Sequence, residues 1–300
     1  MKIAVTGGTG FVGRALTKKF VQNGHDVYIL TRKMDAKENK KQITYVQWLN
    51  DGDRPWEILE GVDIFINLAG ESINSGRWSE NRKKKILESR ISAANEAVKI
   101  LSRLQKKPDV LIQASAVGIY GISDSETFTE DSSGAGTDFL ARTVQQWEAA
   151  ASKAEDLNIR TVYCRFGIIL DDKDGALPRM AMPYKAFAGG TVGSGKQWVS
   201  WIHLKDVVDG ILFAAVNRQL KGPINFTAPN PVRMKEFGQT LGKVLHRPHW
   251  MPAPQFAIKM ALGEMSILVL EGQKVRPQKL LAHGYPFLFE DLPIALEDIY

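Results

Sequence analysis

Short apolar runs alternate with amphipathic stretches through the first two thirds of the chain. Strand-like runs fall at 2–6, 26–31, 43–47, 62–67, 109–114 and 159–164. Helical periodicity occupies 11–22, 79–105 and 138–156, with Ile86, Ile91, Ala94, Val98 and Leu101 recurring every three or four positions. Apolar strands alternating with helices predict an α/β fold, a doubly wound parallel sheet of Rossmann type covered on both faces. Ligands of such sheets bind at the carboxyl ends of the strands. Beyond Leu170 the pattern changes: Gly and Pro become frequent and strand signals thin out. A helix at 204–216 and a strand at 223–227 return to the first unit, so residues 1–230 are expected to form the Rossmann-type domain. Residues 231–300, with a contribution from 171–200, are expected to form a smaller C-terminal α+β lobe. No internal repeat or long linker separates the two.

The first β-to-α junction carries the most specific local signal. The run Ile3-Ala4-Val5 leads into Thr6-Gly7-Gly8-Thr9-Gly10-Phe11-Val12-Gly13 and then into helical periodicity. Gly7 suits a tight turn, Gly10 leaves room for phosphates, and Gly13 lets the new helix pack closely on its strand. The helix N-terminus offers free N–H groups and a positive dipole end to an anion. Strand, spacing and helix agree on dinucleotide binding, with Thr9, Phe11 and Val12 beside the glycines at the pyrophosphate.

The end of the second strand bears on which dinucleotide. An NAD site usually presents a carboxylate there to the ribose hydroxyls. This chain has Thr31, Arg32 and Lys33, and Asp35 follows in an expected loop. A guanidinium at Arg32 suits a 2′-phosphate, with planar, charge-assisted hydrogen bonds. NADP(H) is therefore expected, with Thr31 and Arg32 near the adenine ribose.

Composition narrows the field. The 300 residues are 44% hydrophobic and 24% charged, ordinary for a globular protein with a sizeable core. The single cysteine, Cys164, excludes an internal disulfide and multi-cysteine metal sites, and its apolar neighbours make it a buried thiol. The histidines show no metal-ligand spacing, so no metal is expected. No apolar run approaches bilayer length, and the chain opens on a core strand without room for a signal peptide, so a cytoplasmic protein is expected. The net charge of +6 raises nucleic acid as a partner, but the densest cluster, Arg82–Lys85, lies on a helix without any nucleic-acid motif. Neither nucleic acid nor membrane is expected as a partner.

The glycine turn, Asn67-Leu68-Ala69-Gly70 closing the fourth strand, and Val117-Gly118-Ile119-Tyr120-Gly121 after the fifth resemble the extended short-chain dehydrogenase/reductases, the NAD(P)-dependent epimerase/dehydratase superfamily. Trp201-Ile202-His203-Leu204-Lys205-Asp206-Val207 extends the likeness. Arg77-Trp78, Ser89-Arg90-Ile91, Trp147-Glu148, Leu262-Gly263-Glu264-Met265 and Glu271-Gly272-Gln273-Lys274-Val275 are similar to one atypical subfamily, the epimerase family proteins with a C-terminal domain of unknown function. The resemblance implies that Leu68, Ala69 and Gly70 flank the cofactor. It makes Lys85 and Arg90, on the helix at 79–105, candidates to reach it, with solvent-facing positions as the alternative reading.

Superfamily enzymes pair a Ser/Thr with a Tyr and a Lys four positions later; the Tyr moves a proton and the Lys lowers its pKa. With Glu148 as anchor, the Tyr position falls on Leu140 and the Lys position on Val144; a shift of one gives Phe139 and Thr143. The Ser/Thr position falls on Ala116, beside Ser115. The catalytic residues are therefore unassigned, with Ser115 and Tyr120 as the candidates left. His203 reads as a structural histidine, Trp78, Trp198 and Trp201 as candidate cleft aromatics, and Glu71 as the carboxylate nearest the cleft. The expectation is an NADP(H)-binding oxidoreductase or epimerase-like protein acting on a small polar metabolite without the usual Tyr/Lys pair. The alternative is a non-catalytic NADP(H)-binding sensor or regulatory protein. Relatives that dimerise through the helices matching 79–105 and 138–156 leave a homodimer open.

Overall fold

The computed structural model describes residues 1–34 and 39–300. Seven parallel strands form the central sheet: β1 (Lys2–Thr6), β2 (Asp26–Thr31), β3 (Ile43–Gln47), β4 (Ile64–Asn67), β5 (Val110–Ala116), β6 (Arg160–Phe166) and β7 (Gly222–Phe226). Their order is β7-β6-β5-β4-β1-β2-β3, the doubly wound arrangement the alternating pattern predicts. The helices of this unit are α1 (Phe11–Gln22), the short α2 (Pro55–Ile58), α3 (Glu80–Arg103) and α4 (Phe139–Ser152). Predicted and observed boundaries differ by a few residues, most at the end of α4. There the helix stops at Ser152, and Asn158 turns the chain with a positive φ of 58°.

Successive strand residues point to opposite faces, so each strand feeds two cores. Ile3, Val5, Ile64, Ile66 and Ile112 pack on one face with Leu16 and Phe20 of α1. Ala4, Phe65 and Leu111 pack on the other with Ala93, Ala97, Ile100 and Leu101 of α3. This is why the strands read as unbroken apolar runs. Cys164 is fully buried in the first of these cores.

The remaining helices are α5 (Leu177–Lys185), α6 (Leu204–Val216), α7 (Met234–Val244), α8 (Gln255–Leu262), α9 (Ile267–Leu270), α10 (Gln278–Ala282) and α11 (Leu292–Ile299). A third core joins Leu177, Ala181 and Tyr184 to Phe237, Leu241, Leu292 and Leu296. Segments far apart in sequence thus share one apolar cluster. The chain after α9 then runs back to the main sheet. Lys274–Val275 pairs with Thr127–Phe128, and Asn225 in β7 donates its side-chain amide to the Arg276 carbonyl.

His203 links this returning chain to α6. Its Nδ1 accepts from Lys205 N and caps the helix, and its ring stacks on Phe289 at 4.0 Å. Nε2 lies 3.2 Å from Asp298 Oδ2 but out of hydrogen-bond alignment. Burial lowers its pKa to about 4, against the pull of Asp298. The neutral ring is the folded form, and its stabilisation is complete above the unfolded value near 6.5. It is lost as the pH falls toward about 4, a change of roughly 3 kcal/mol. Urea unfolding from pH 7 to pH 4 should show this decline, and His203→Asn, which keeps an acceptor at the cap, should flatten it. At the first turn, a Cβ on Gly13 would stand 2.2 Å from the Gly7 carbonyl oxygen and 2.6 Å from Gly8 Cα. Gly13→Ala should therefore lower stability by roughly 3 kcal/mol, read from the same unfolding curves.

Candidate functional site

The carboxyl ends of β1, β4, β5 and β6 converge on one edge of the sheet. Gly7 there has a φ of +67°, and a Cβ would sit 2.9 Å from the Leu68 backbone. Gly10 N donates to Gly7 O at 2.9 Å, closing the turn. Helix α1 starts at Gly10 with no side-chain cap and no acidic residue in its first turn. Its first N–H groups are thus left for an external acceptor, as an anion site requires. Thr9 and Gly10 are exposed, Val12 turns toward the core, and the Phe11 ring packs near Gly175. Arg14 donates to Thr9 O and pairs with Asp174, fastening the turn to the loop after Leu170.

A buried polar chain holds the neighbouring strand ends. Thr6 donates to Asn67 Oδ1 at 2.5 Å, and Asn67 donates to Gln113 Oε1 at 2.8 Å. Leu68 N and Ala69 N both donate to Thr6 Oγ1 at 3.1 Å. Leu68 and Ala69 are half-buried and Gly70 is exposed. Sequence reading missed Thr6 and Gln113; their only signal was a polar side chain interrupting an apolar strand.

At the end of β2, Thr31 is buried and donates to the Lys33 carbonyl at 2.9 Å. Arg32 is exposed beside it. Asp35 lies outside the described residues.

A cleft of about 310 Å³ lies off the ends of β5 and β6, between α3, α4 and the chain around α9. Ile86 and Arg90, one helical turn apart, face it from α3. Lys85 is rotated away: it is exposed and does not line the cleft. Arg90 lies against Gly70 and its guanidinium stands 5.1 Å over the Trp147 ring. Burial lowers its pKa to about 10, against the pull of Glu71, so it stays charged at neutral pH.

Leu140, Thr143, Val144 and Trp147 line the cleft from one face of α4. The positions where the family's Tyr and Lys were sought thus do reach the cleft, and they carry Leu and Val. Thr143 donates to Phe139 O at 2.7 Å. Trp147 was not foreseen as cleft lining, although its spacing from Leu140 and Val144 puts all three on one helical face. Trp198 lines the cleft, whereas Trp201 is fully buried and Trp78 is packed edge-on against Phe139. The carboxylates on the wall are Asp138 and Glu271; Glu71 instead pairs with Arg82 at 3.0 Å.

Ser115 and Tyr120 sit in a buried network behind this wall. Arg165 reaches Glu148 with Nε and Nη2, both at 2.9 Å, and Ser115 donates to Glu148 Oε1 at 2.5 Å. Arg165 Nη1 donates to the Tyr120 hydroxyl at 3.0 Å, and that hydroxyl donates to Asn225 Oδ1 at 2.8 Å. Tyr120 is 6% exposed. Burial pushes its phenol pKa up, with Arg165 opposing, the reverse of what a tuned proton donor needs. Both hydroxyls are spent on structure, and neither residue lines the cleft.

A second, more open depression of about 540 Å³ lies among Asp124, Lys196, Arg233, Lys235 and Glu236, away from the strand ends. Arg233 there stacks on Trp198 at 3.8 Å and donates to the Asp124 and Lys196 carbonyls. Among the described residues no helix is long and apolar enough to cross a membrane.

Comparison with known proteins agrees with this arrangement. The chain is 51% identical over 300 residues to epimerase family protein YfhF of Bacillus subtilis (strain 168), covering 100% of this chain and 98% of that protein. A crystal structure of human epimerase family protein SDR39U1 (isoform 2) with NADPH superposes with a TM-score of 0.87 at 32% identity, covering 100% of this chain and 99% of that one. The UDP-glucuronic acid 4-epimerase of Bacillus cereus, in complex with UDP-glucuronic acid and NAD, shares the fold at 17% identity, with a TM-score of 0.80 and coverage of 100% and 98%. The NAD dependent epimerase/dehydratase family matches residues 3–226, and a domain of unknown function, DUF1731, matches residues 253–299. By sequence, the chain belongs to the NAD dependent epimerase/dehydratase family.

Proposed function

We infer that this chain binds NADP(H) and serves as an oxidoreductase or epimerase-like enzyme on a small molecule, without a side-chain phenol as proton donor. The observation that carries the reading is the uncapped N-terminus of α1 behind the Gly7–Gly13 turn. Arg32 at the end of β2 and the human relative crystallised with NADPH favour the 2′-phosphorylated cofactor. Gly7, Gly10 and the first turn of α1 would hold the pyrophosphate, and Thr31 and Arg32 the adenosine end. Leu68, Ala69 and Gly70 would border the bound dinucleotide. When bound, the nicotinamide supplies or accepts hydride.

The chain's part at the reactive end is to orient and to shield. The walls from α3, α4 and α9 keep bulk water from the reacting atoms. Arg90 offers a fixed positive charge to an oxygen that gains negative charge. Among the described residues no phenol or lysine lines the cleft, so neither group supplies the proton. The same observation favours a second reading, a non-catalytic NADP(H) sensor, and turnover separates the two.

Calorimetric titration should give NADPH at least about tenfold tighter binding than NADH, and Arg32→Ala should remove most of that preference. Equal affinities for the two nucleotides, unchanged in the variant, would put the adenosine end elsewhere. Tyr120→Phe should cost about 1–2 kcal/mol of stability through the lost hydroxyl and leave NADPH affinity unchanged. A stable Tyr120→Phe protein that binds NADPH but has lost turnover would instead make this phenol the proton donor.

A further inference from the structure

We propose that the cleft takes a compact apolar molecule bearing one oxygen acceptor, in place of the small polar metabolite the sequence suggested, and that it does not take a nucleotide sugar. The proposal names the ligand class of the site above and rests on the reading that the glycine turn holds NADP(H).

The wall is built from hydrophobic side chains contributed by distant parts of the chain. Ile122, Leu140, Val144, Phe166, Ile168 and Leu268 all face the cavity. Asp138, Ser200, Gln273 and Trp198 each already bond within the protein. Asp138 accepts from Leu140 N and Ala141 N as the cap of α4. Ser200 donates to the Gln273 carbonyl and accepts from Val275 N. Gln273 donates to the Val117 carbonyl, and Trp198 to the Asp124 carbonyl. Glu271 is exposed at the mouth, where its charge opposes an anionic ligand.

Arg90 is the exception. Its Nη1 is committed to the Glu71 and Ile86 carbonyls, and no bond among the described residues uses Nε or Nη2. The indole N–H of Trp147, the ring beneath that guanidinium, is buried with no partner among the described residues. That N–H has no surface open to the cleft, so one acceptor atom on the ligand is matched by the free Nε and Nη2 of Arg90. A sugar would leave several hydroxyls without partners, each costing about tenfold in affinity. A diphosphate would need cations on the wall, and the charged side chains lining the cleft are Arg90 against the two carboxylates Asp138 and Glu271. Leu268, Glu271 and Gln273 fall within residues 253–299, so the domain of unknown function supplies the outer wall and with it part of the selectivity.

The test uses the full chain saturated with NADP⁺, which prevents reduction during the measurement. Acetophenone, its oxygen-free analogue ethylbenzene, dihydroxyacetone and UDP-glucose are compared by saturation-transfer NMR and calorimetry. Acetophenone should bind, with dihydroxyacetone and UDP-glucose at least about tenfold weaker. Ile122→Asp, at an exposed position on the rim, should weaken acetophenone about tenfold or more while NADP⁺ affinity is unchanged. Arg90→Met should abolish the preference for acetophenone over ethylbenzene, with thermal melting confirming that the variant folds. UDP-glucose binding tighter than acetophenone, or failure of acetophenone to bind a protein that does bind NADP⁺, overturns the proposal. Absence of NADP⁺ binding overturns the underlying reading instead, and acetophenone binding to the nucleotide-free chain then still tests the cleft.

Discussion

The Arg165 guanidinium is the interaction on which the arrangement of this site depends. It joins Glu148 of α4 to its own strand β6 and, through Tyr120 and Asn225, to β7 and the returning chain at Arg276. A buried ion pair of this kind contributes little net stability compared with apolar packing, but loss of one partner strands a charge and costs about 3–5 kcal/mol. Its value here is geometric. It fixes the rotation of α4, and that rotation decides that Leu140, Val144 and Trp147 face the cleft. Ser115 and Tyr120 are drawn into the network as a consequence, and neither lines the cleft.

The site therefore has two ends with different physics. The glycine turn works through backbone: free N–H groups, a helix dipole and close approach that a Cβ at Gly13 would prevent. Nothing about it depends on which substrate is used. The cleft is built from side chains gathered from α3, α4, the ends of β5 and β6, and the segment around α9. Its polarity is low because most of the wall is apolar and several of its polar groups are bonded within the fold. A family likeness at the first end thus says little about chemistry at the second.

The returning C-terminal chain has a comparable double role. Ser200, Asn225 and Thr227 bond to the backbone of Gln273, Val275 and Arg276, so this segment is fastened to the main sheet as well as to the third core. The wall it contributes is held in place by side chains that donate to its backbone carbonyls, which fixes it more firmly than a free loop.

The sequence by itself determined the sheet, its order of elements and the glycine turn. These follow from local rules: an apolar run long enough for a strand, helical spacing in α1, α3 and α4, and glycines where only a missing side chain fits. It also showed that neither Leu140 and Val144 nor Phe139 and Thr143, the places where the family's pair was sought, carry a Tyr or a Lys. It could not show that Lys85 turns to solvent while Arg90, five residues later, lines the cleft, because that needs the rotation of α3 against the sheet. Nor could it place Trp147 on the wall, or show that Asp138 and Glu271 rather than Glu71 stand there. Hydrogen bonds between residues as distant as Tyr120 and Asn225 settle which polar groups are spent. Tertiary packing alone decided the character of the cleft, because a side chain's chemistry depends on its partners, and those partners come from elsewhere in the chain.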